Sequence, residues 1–293
     1  MAFFEDYGSD FEFFYRSELL PGNMPIKHLH PHYEALLILD PIPCEIFVNQ
    51  TSIAVKPPFF ALFTPHNLHK SFFTKKTEFE RFVFYFGNKM IKDYADCFQG
   101  FLEKTHQHTA IIFELTSEIE QKIRAILAPY DPSKMTLTEQ KLVFLLILNT
   151  MLNCTDECKH THFYEQNDYI SHLLKYMCEH YNEPLTLDSL AEQFFVSRSK
   201  LSQDFKTHTG TSPHQFLLDI RIARAILYIR SGKFETVRDV ANEVGFGNGL
   251  HFYSAFKKLI GMTPLEYAMM HKVSMRALKH KSETLSIKKK IEN

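Results

Sequence analysis

Tryptophan is absent from this sequence of 293 residues, and so is an excess of either charge, because the formal net charge is −1. The longest apolar run, Leu142 to Leu148, is far shorter than the ~20 residues that a membrane-spanning helix needs. The first residues lack the basic start and the apolar stretch of a signal peptide. Cysteine is scarce, with five residues, which suits a reducing cytoplasm better than a disulfide framework. We therefore expect a cytoplasmic protein with no membrane partner.

The composition is that of a globular chain, and its charges are unevenly distributed along the sequence. Apolar residues make up 45% of the chain and charged residues 23%, so it can bury sizeable cores and is long enough for two domains. Residues 1–167 carry a net charge of −6, and residues 168–293 carry +5. A positive C-terminal part suits a nucleic-acid partner, but the excess lies beyond residue 270. DNA binding would therefore depend on where the charges lie rather than on their sum.

A pattern near the C-terminus occurs twice. Ala191 recurs 50 residues later at Ala241, and Gly210 recurs 51 residues later at Gly261. One inserted residue between these points, near a turn, explains the offset. Each copy has the length and the cap and turn residues of a helix-turn-helix, a unit that places one helix in a DNA groove.

The first copy predicts two capped helices. Thr186 can accept hydrogen bonds from the free N–H groups of a helix over 187–194, and Ser197 can cap the next helix over 198–208. Gly210 ends this helix as a left-handed cap residue would. The core residues of the second helix are Leu201 and Phe205. Its candidate DNA contacts are Ser197, Arg198, Ser199, Lys200, Ser202, Gln203 and Lys206.

The second copy follows the same plan. Thr236 begins a capping box, residues 245–248 form the turn with Asn248 as the cap, and Gly261 closes the helix over 249–258. A long helix over 213–230 would fix the distance between the copies. The residues expected in the core are Leu250, Phe252 or Tyr253, and Phe256. The candidate DNA contacts are Asn248, His251, Ser254, Lys257 and Lys258.

Residues 168–271 resemble the DNA-binding domain of the AraC/XylS family of transcription regulators. This resemblance implies two recognition helices in successive major grooves, a promoter DNA partner and, for an activator, contact with RNA polymerase. An Arg commonly precedes the Phe-Lys pair by two residues, but Gln203 and Ser254 stand there. Because Gln pairs with adenine, we expect base readout by Gln203 and mainly phosphate contacts from the second helix. The residues that carry the resemblance are Leu190, Ala191, Ser197, Leu201, Phe205, Lys206, Gly210, Arg221 to Ala225, Val240, Ala241, Gly245, Phe246, Phe252, Phe256 to Lys258, Gly261 and Thr263 to Tyr267.

The N-terminal half has the pattern of short strands followed by helices. Pro, Gly and Asn separate apolar runs, which is typical of a β-sandwich or a small barrel. Apolar spacing then predicts a helix over 112–127 and a second helix from Thr136 or Thr138 to Leu152. Residues 154–167 lose this periodicity and are expected to be a linker. The predicted strands are 35–39, 45–49, 59–63 and 79–86.

This half resembles the cupin-like effector domain of the same family. The predicted fold class is therefore α+β with two domains: a cupin-like β-barrel with two helices, and an all-α tandem helix-turn-helix domain. The predicted bounds are 1–153 for the effector and dimerisation domain, 154–167 for the linker, 168–272 for the DNA-binding domain and 273–293 for a basic tail.

Four polar residues are the candidate ligand-binding site of the first domain: His28, His30, Glu34 and His69. They fit the cupin pattern in which imidazoles and a carboxylate hold Fe, Mn, Ni or Zn. The preferred interpretation is a hydrogen-bonding pocket for a small polar effector, with a sugar as the first candidate, and without metal, cofactor or enzyme activity. The alternatives are a metal-dependent cupin protein, a metal sensor, or a ligand-independent DNA-binding dimer. Cys154, Cys158, His160 and His162 form a second metal-like pattern, which we interpret as linker.

A leucine-rich helical face is a candidate dimer interface. Packing against the barrel is the alternative use of such a face, but the family resemblance favours a homodimer. The residues of this face are Leu142, Leu145, Leu146, Asn149 and Leu152.

Overall fold

A computed structural model describes residues 2–4, 10–16, 27–49, 51–73, 79–96, 98, 108–154, 159–164 and 169–271. The basic tail predicted for 273–293 lies outside this part of the chain. The chain divides into two compact units, of which the first is mainly Tyr7–Lys175 and the second is mainly Tyr176–Lys206 with Thr211–Asn293. None of the helices within the described ranges combines the length and the apolar character that crossing a bilayer requires.

The first unit is built from two antiparallel sheets and a few helices. The sheets have the strand orders β1-β3-β8-β5-β6 and β11-β10-β7-β4-β9-β2. The strands are β1 (Ala2–Phe4), β2 (Phe11–Arg16), β3 (Lys27–Leu29), β4 (Tyr33–Ile38), β5 (Cys44–Val48), β6 (Thr51–Val55), β7 (Phe59–Phe63), β8 (His69–Phe73), β9 (Arg81–Phe86), β10 (His108–Glu114) and β11 (Lys159–Tyr164). The helices are α1 (Asn88–Asp93), α2 (Ser117–Leu127) and α3 (Leu137–Cys154).

The six-stranded sheet is buried on both faces. Along β4, Leu36 and Ile38 join the core shared with Ile46 of the five-stranded sheet, whereas Ala35 and Leu37 join the core that includes residues of α2 and α3. Side chains alternate between the two faces of a strand, so a strand covered on both sides needs an unbroken apolar run. The described strands form two open sheets rather than one closed barrel.

The helix predicted over 112–127 begins too early. Ile112 lies in β10, where it pairs with Ala61 of β7. The helix starts at Ser117, and its cap Thr116 accepts a hydrogen bond from Ile119 N through Oγ1 at 3.4 Å. The error arises because a strand buried on both faces supplies apolar residues at every spacing, including that of a helix.

The second predicted helix is confirmed as α3, with Thr136 as its cap. Glu139 N donates to Thr136 Oγ1 at 3.3 Å, and Thr136 N donates to Glu139 Oε2 at 2.7 Å. This reciprocal pair is a capping box.

The linker predicted over 154–167 is wrong in its middle. Lys159–Tyr164 forms β11, an edge strand that pairs antiparallel with β10, as in the pair Ile112 and Thr161. A strand needs only backbone groups to pair, so this polar sequence forms one without an apolar alternation. The side chains of the Cys154, Cys158, His160 and His162 pattern lie outside the described part of the structure.

The second unit is helical, as predicted. Its two helix-turn-helix copies are α5–α6 and α8–α9, and the connecting helix is α7, which begins at Pro213 behind the cap Ser212. In chain order the helices from residue 169 onward are α4 (Tyr169–Glu179), which begins in the first unit, and then α5 (Leu187–Gln193), α6 (Arg198–Thr209), α7 (Pro213–Ser231), α8 (Val237–Glu243), α9 (Gly249–Ile260) and α10 (Pro264–Met270).

The first helices of the two copies are capped in the same way. Thr186 accepts a hydrogen bond from Ser189 N at 3.1 Å, and Thr236 accepts one from Asp239 N at 3.2 Å. In each copy the side chain at the third helical position in turn accepts a hydrogen bond from the backbone N–H of the cap residue. Both predicted helix starts are therefore confirmed.

The inserted residue that offsets the copies is Gly247. Phe195 and Gly245 occupy the same left-handed position, with φ of 55° and 80°. The offset up to this position is 50 residues, and the helix caps Ser197 and Asn248 are 51 residues apart. One extra residue between the left-handed turn and the second cap therefore separates the otherwise matching copies.

Gly245 should be the more sensitive of two left-handed glycines. An added Cβ at Gly245 would lie 2.6 Å from Asn182 O, whereas one at Gly261 would meet nothing within 4 Å. Gly261→Ala should cost about 1–2 kcal/mol of unfolding free energy from the backbone conformation alone. Gly245→Ala adds a backbone collision and should cost at least about 3 kcal/mol. Calorimetric melting of the two full-length variants measures this difference, and equal losses would contradict the close approach.

Candidate functional site

The first recognition helix, α6, presents nearly all of its predicted contacts to solvent. Ser197 caps it by accepting a hydrogen bond from Lys200 N at 3.2 Å. Leu201 and Phe205 are fully buried, and the Phe205 ring packs edge-on against Phe216 at 5.4 Å. Ser202 is half-buried. The exposed predicted contacts are Ser197, Arg198, Ser199, Lys200, Gln203 and Lys206.

Two of the cations on α6 already have acidic neighbours. Arg198 Nε lies 3.0 Å from Asp188 Oδ1, and Lys200 Nζ lies 2.7 Å from Asp204 Oδ2. Exposed ion pairs of this kind contribute little stability, so a phosphate group can replace the carboxylate at small cost. Lys206 has no carboxylate within ion-pair distance among the residues that the structure describes, so its charge is available to a phosphate.

The second recognition helix, α9, has the same core and a different surface. Asn248 Oδ1 accepts a hydrogen bond from Leu250 N at 2.8 Å, which confirms the predicted cap. Phe252 and Phe256 are fully buried and pack edge-on with ring centres 5.7 Å apart. The predicted contacts Asn248, His251, Ser254, Lys257 and Lys258 are all exposed.

The prediction that Leu250 is buried is wrong. Its side chain is 77% exposed, and that of Tyr253 is 42% exposed. Phe252 and Phe256 are four residues apart and define the buried face. Leu250 precedes Phe252 by two residues and therefore lies toward the other side of the helix.

The arginines of α7 hold the second unit together. Arg221 donates from Nε to Tyr181 O and from Nη2 to Glu183 O, each at 2.7 Å. Arg224 lies over the Tyr181 ring at 5.2 Å. The predicted role of α7 is to fix the distance between the copies, and its arginines also anchor the segment that follows α4.

Known proteins resemble this chain mainly in the region just described. A family model for a helix-turn-helix domain matches residues 190–270. The HTH-type transcriptional regulator YdeC of Bacillus subtilis is 33% identical over 113 residues, which is 37% of this chain and 38% of that protein. The transcriptional activator RhaS of Escherichia fergusonii is 28% identical over 97 residues, which is 33% of this chain and 34% of that protein.

Residues 190–270 therefore match a helix-turn-helix domain of the AraC type, and the relatives that share this region are named transcriptional regulators. The chain spans less than two fifths of the length of these two relatives. A solved structure of ToxT from Vibrio cholerae aligns with 89% of this chain and 99% of its own, at 12% identity and a TM-score of 0.46. The region matched by the family model contains both recognition helices and the connecting helix α7.

The four predicted ligand-binding residues of the first unit lie together. His28 in β3 pairs with His69 at the start of β8, and Glu34 lies in β4 of the other sheet. Glu34 Oε2 is 3.0 Å from His30 Nε2, 3.1 Å from His69 Nε2 and 3.6 Å from His28 Nε2. All four residues are at most 2% exposed. One carboxylate oxygen therefore faces three imidazole nitrogens in a buried site.

Backbone carbonyls determine how two of these rings are protonated. His30 Nδ1 lies 2.8 Å from His32 O, and His69 Nδ1 lies 2.9 Å from Asn67 O. A carbonyl oxygen only accepts, so each Nδ1 carries the hydrogen, and Nε2 of each ring faces Glu34. Two imidazole nitrogens that lie 3.0 and 3.1 Å from a carboxylate oxygen need a proton or a metal cation between them and that oxygen. A backbone partner at the outer nitrogen is also how metal-binding histidines are commonly oriented.

Burial and charge shift the titration of the cluster. Burial raises the pKa of Glu34, but the imidazoles of His28, His30 and His69 around its carboxylate outweigh this effect and hold the pKa well below its usual value. Burial, followed by repulsion from His28, lowers the pKa of His69 to about 4. The carboxylate is therefore charged, and the His69 imidazole is neutral, at physiological pH.

The surroundings make the cluster suited to an ion. His28 Nδ1 and Nε2 are buried and have no hydrogen-bond partner among the described residues. The Phe63 ring stacks on His69 at 4.2 Å, and Tyr85 packs edge-on against His30 at 4.9 Å. Sequence reasoning missed both aromatic neighbours, although the strand alternation that turns them toward the cluster is present. These three imidazoles and one carboxylate can hold a transition-metal ion.

The leucine face of α3 is partly exposed. Leu142 and Leu146 are 49% and 48% exposed, and Asn149 is exposed as well. Leu145 and Leu152 are half-buried against the core. The residues of α3 that pack into the core are instead Val143, Phe144, Ile147, Leu148 and Met151.

Proposed function

We propose that the chain is a DNA-binding transcription regulator of the AraC/XylS type that places α6 and α9 in neighbouring major grooves. The duplicated turn carries this proposal: in both copies the residue after the left-handed position donates to a buried alanine carbonyl, as Val196 N does to Ala191 O and Phe246 N to Ala241 O. Two helices presented in the same way by one rigid unit suit one face of a duplex.

The regulator acts on promoter DNA in the cytoplasm as an activator that contacts RNA polymerase. Support comes from relatives such as RhaS, which is named a transcriptional activator. Residues 1–153 are the effector and dimerisation domain of cupin-like type, and the two sheets that share a core support this assignment. The exposed Leu142 and Leu146 support a homodimer through α3.

The effector of the first domain is a divalent transition metal rather than a sugar. The sequence favoured a small polar ligand, but a cluster that is at most 2% exposed suits an ion better than a sugar ring. His30 and His69 would be ligands through Nε2, His28 has two buried nitrogens with no hydrogen-bond partner among the described residues, and Glu34 would neutralise charge. When bound, the metal supplies the positive charge that the converging lone pairs need. The chain is then a metal-responsive regulator, not an enzyme.

The DNA-binding role is tested with Gln203→Ala and Lys206→Ala. Duplexes selected from a random library with the full-length chain serve as probes in mobility-shift titrations. Gln203→Ala should relax the base preference at one position, because an amide pairs with a base edge. Lys206→Ala should weaken binding to all duplexes and lower the salt slope by about one, because a lysine contacts phosphate.

Lys122→Ala in α2 of the first unit is the matched control and should bind like the unchanged chain. Identical effects of the two α6 variants on base preference and salt slope would contradict the roles assigned to Gln203 and Lys206. Failure to select any duplex would overturn the proposed function itself.

Metal binding is tested on purified protein by elemental analysis and by melting in the presence of Mn²⁺, Ni²⁺ or Zn²⁺. We expect one metal ion per chain and, at a metal concentration about 100-fold above Kd, a stabilisation of about 2.7 kcal/mol. His69→Ala and Glu34→Gln should abolish both effects, since each removes a ligand.

The exposed His172 in α4 provides the control, and His172→Ala should retain the metal. Stoichiometric metal that survives both His69→Ala and Glu34→Gln would mean that the ion binds elsewhere. The absence of any metal-dependent melting would leave the DNA-binding proposal intact and remove the metal effector.

A further inference from the structure

We propose that Leu250, extended by Tyr253, is a specificity residue of the second recognition helix and contacts the C5-methyl groups of thymine in the major groove. This inference rests on the proposed DNA-binding function and deepens it. It also reverses the expectation that the second helix makes mainly phosphate contacts.

Exposure of these two side chains is the first argument. Leu250 is 77% exposed and Tyr253 is 42% exposed, although both lie on a well-formed helix that buries Phe252 and Phe256. Residues three positions apart share one face of a helix. An apolar pair held in water on an otherwise polar surface is best explained by a partner that covers it.

Register between the two copies is the second argument. After Gly247 the copies are offset by 51 residues, so Leu250 corresponds to Ser199 and Tyr253 to Ser202 on α6. Ser199 and Ser202 lie among the residues predicted to face a groove. The same face is therefore polar in the first copy and apolar in the second.

Charge on the same helix identifies the partner. Lys257 and Lys258 follow in the last turn of α9, and both are exposed. An apolar side chain with lysines beside it is complementary to a surface that has an apolar group close to phosphates. In the major groove the thymine methyl is such a group, and the other three bases present only polar edges there. We therefore assign thymine-containing steps to the second helix.

Deoxyuridine substitution tests the assignment directly, because deoxyuridine pairs like thymine but lacks the C5 methyl. A duplex selected from a random library with the full-length chain is resynthesised with each thymine replaced in turn, and affinities are measured by fluorescence anisotropy. The unchanged chain should bind one or two of these duplexes about fourfold more weakly, as expected for the loss of one buried methyl group.

Leu250→Ala should bind the parent duplex about fourfold more weakly and no longer distinguish thymine from deoxyuridine at the affected position. Its melting temperature should not change, because the replaced side chain is largely exposed. Leu259→Ala is the matched control: this exposed leucine lies nine residues further along, on the opposite side of the helix, and its variant should keep full discrimination.

Two results would overturn the inference while specific DNA binding remains. The first is that the unchanged chain loses no affinity on any deoxyuridine duplex. The second is that Leu250→Ala and the unchanged chain discriminate every thymine equally. If no duplex is enriched in the selection, the proposed function fails and this inference fails with it.

Discussion

Both recognition helices depend on one backbone hydrogen bond, which runs from the residue after the left-handed turn position to a buried alanine carbonyl. Val196 N donates to Ala191 O at 3.0 Å, and Phe246 N donates to Ala241 O at 2.8 Å. This bond sets the path of the chain between the two helices of each copy. The alanines are at most 5% exposed, and their small side chains let the second helix pack closely on the first. The caps Ser197 and Asn248 then fix where each recognition helix begins.

The left-handed backbone conformation at this turn costs more free energy in the first copy than in the second. Gly245 adopts its φ of 80° without a side-chain penalty, whereas Phe195 holds a φ of 55°, which costs a residue with a Cβ about 1–2 kcal/mol. The Phe195 side chain is 95% exposed, so its own packing does not offset this strain. The surrounding hydrogen bonds must therefore hold the first turn in place. The second copy has an unstrained turn and an extra glycine, Gly247, before its recognition helix.

Helix ends could be predicted from the sequence where the local backbone requires one type of residue. The caps Thr186, Thr236 and Asn248 and the terminator Gly261 were predicted because orphan N–H groups and left-handed backbone select those residues. The boundary between β10 and α2 was not predicted, because a strand that is buried on both faces has no periodic pattern of apolar residues. Strand β11 was not predicted, because an edge strand can pair through its backbone without such a pattern. Leu250 was wrongly predicted to be buried, because Phe252 rather than Leu250 fills the core at this point of the helix. The histidine cluster was found as a pattern, but its protonation depends on carbonyls of His32 and Asn67, which no pattern reveals.

That cluster also links the two sheets of the first unit. His28 and His69 belong to the five-stranded sheet, and Glu34 belongs to the six-stranded sheet. A cation shared by these side chains would bind most tightly when the two sheets hold the observed separation, because Glu34 Oε2 is then within 3.6 Å of all three imidazoles. Without the cation this attraction is lost, so the observed separation of the sheets is favoured less. A ligand can shift a conformational equilibrium only through such a difference in affinity between two arrangements. The geometry thus gives an ion in this cluster a physical means of selecting one arrangement of the first unit over another.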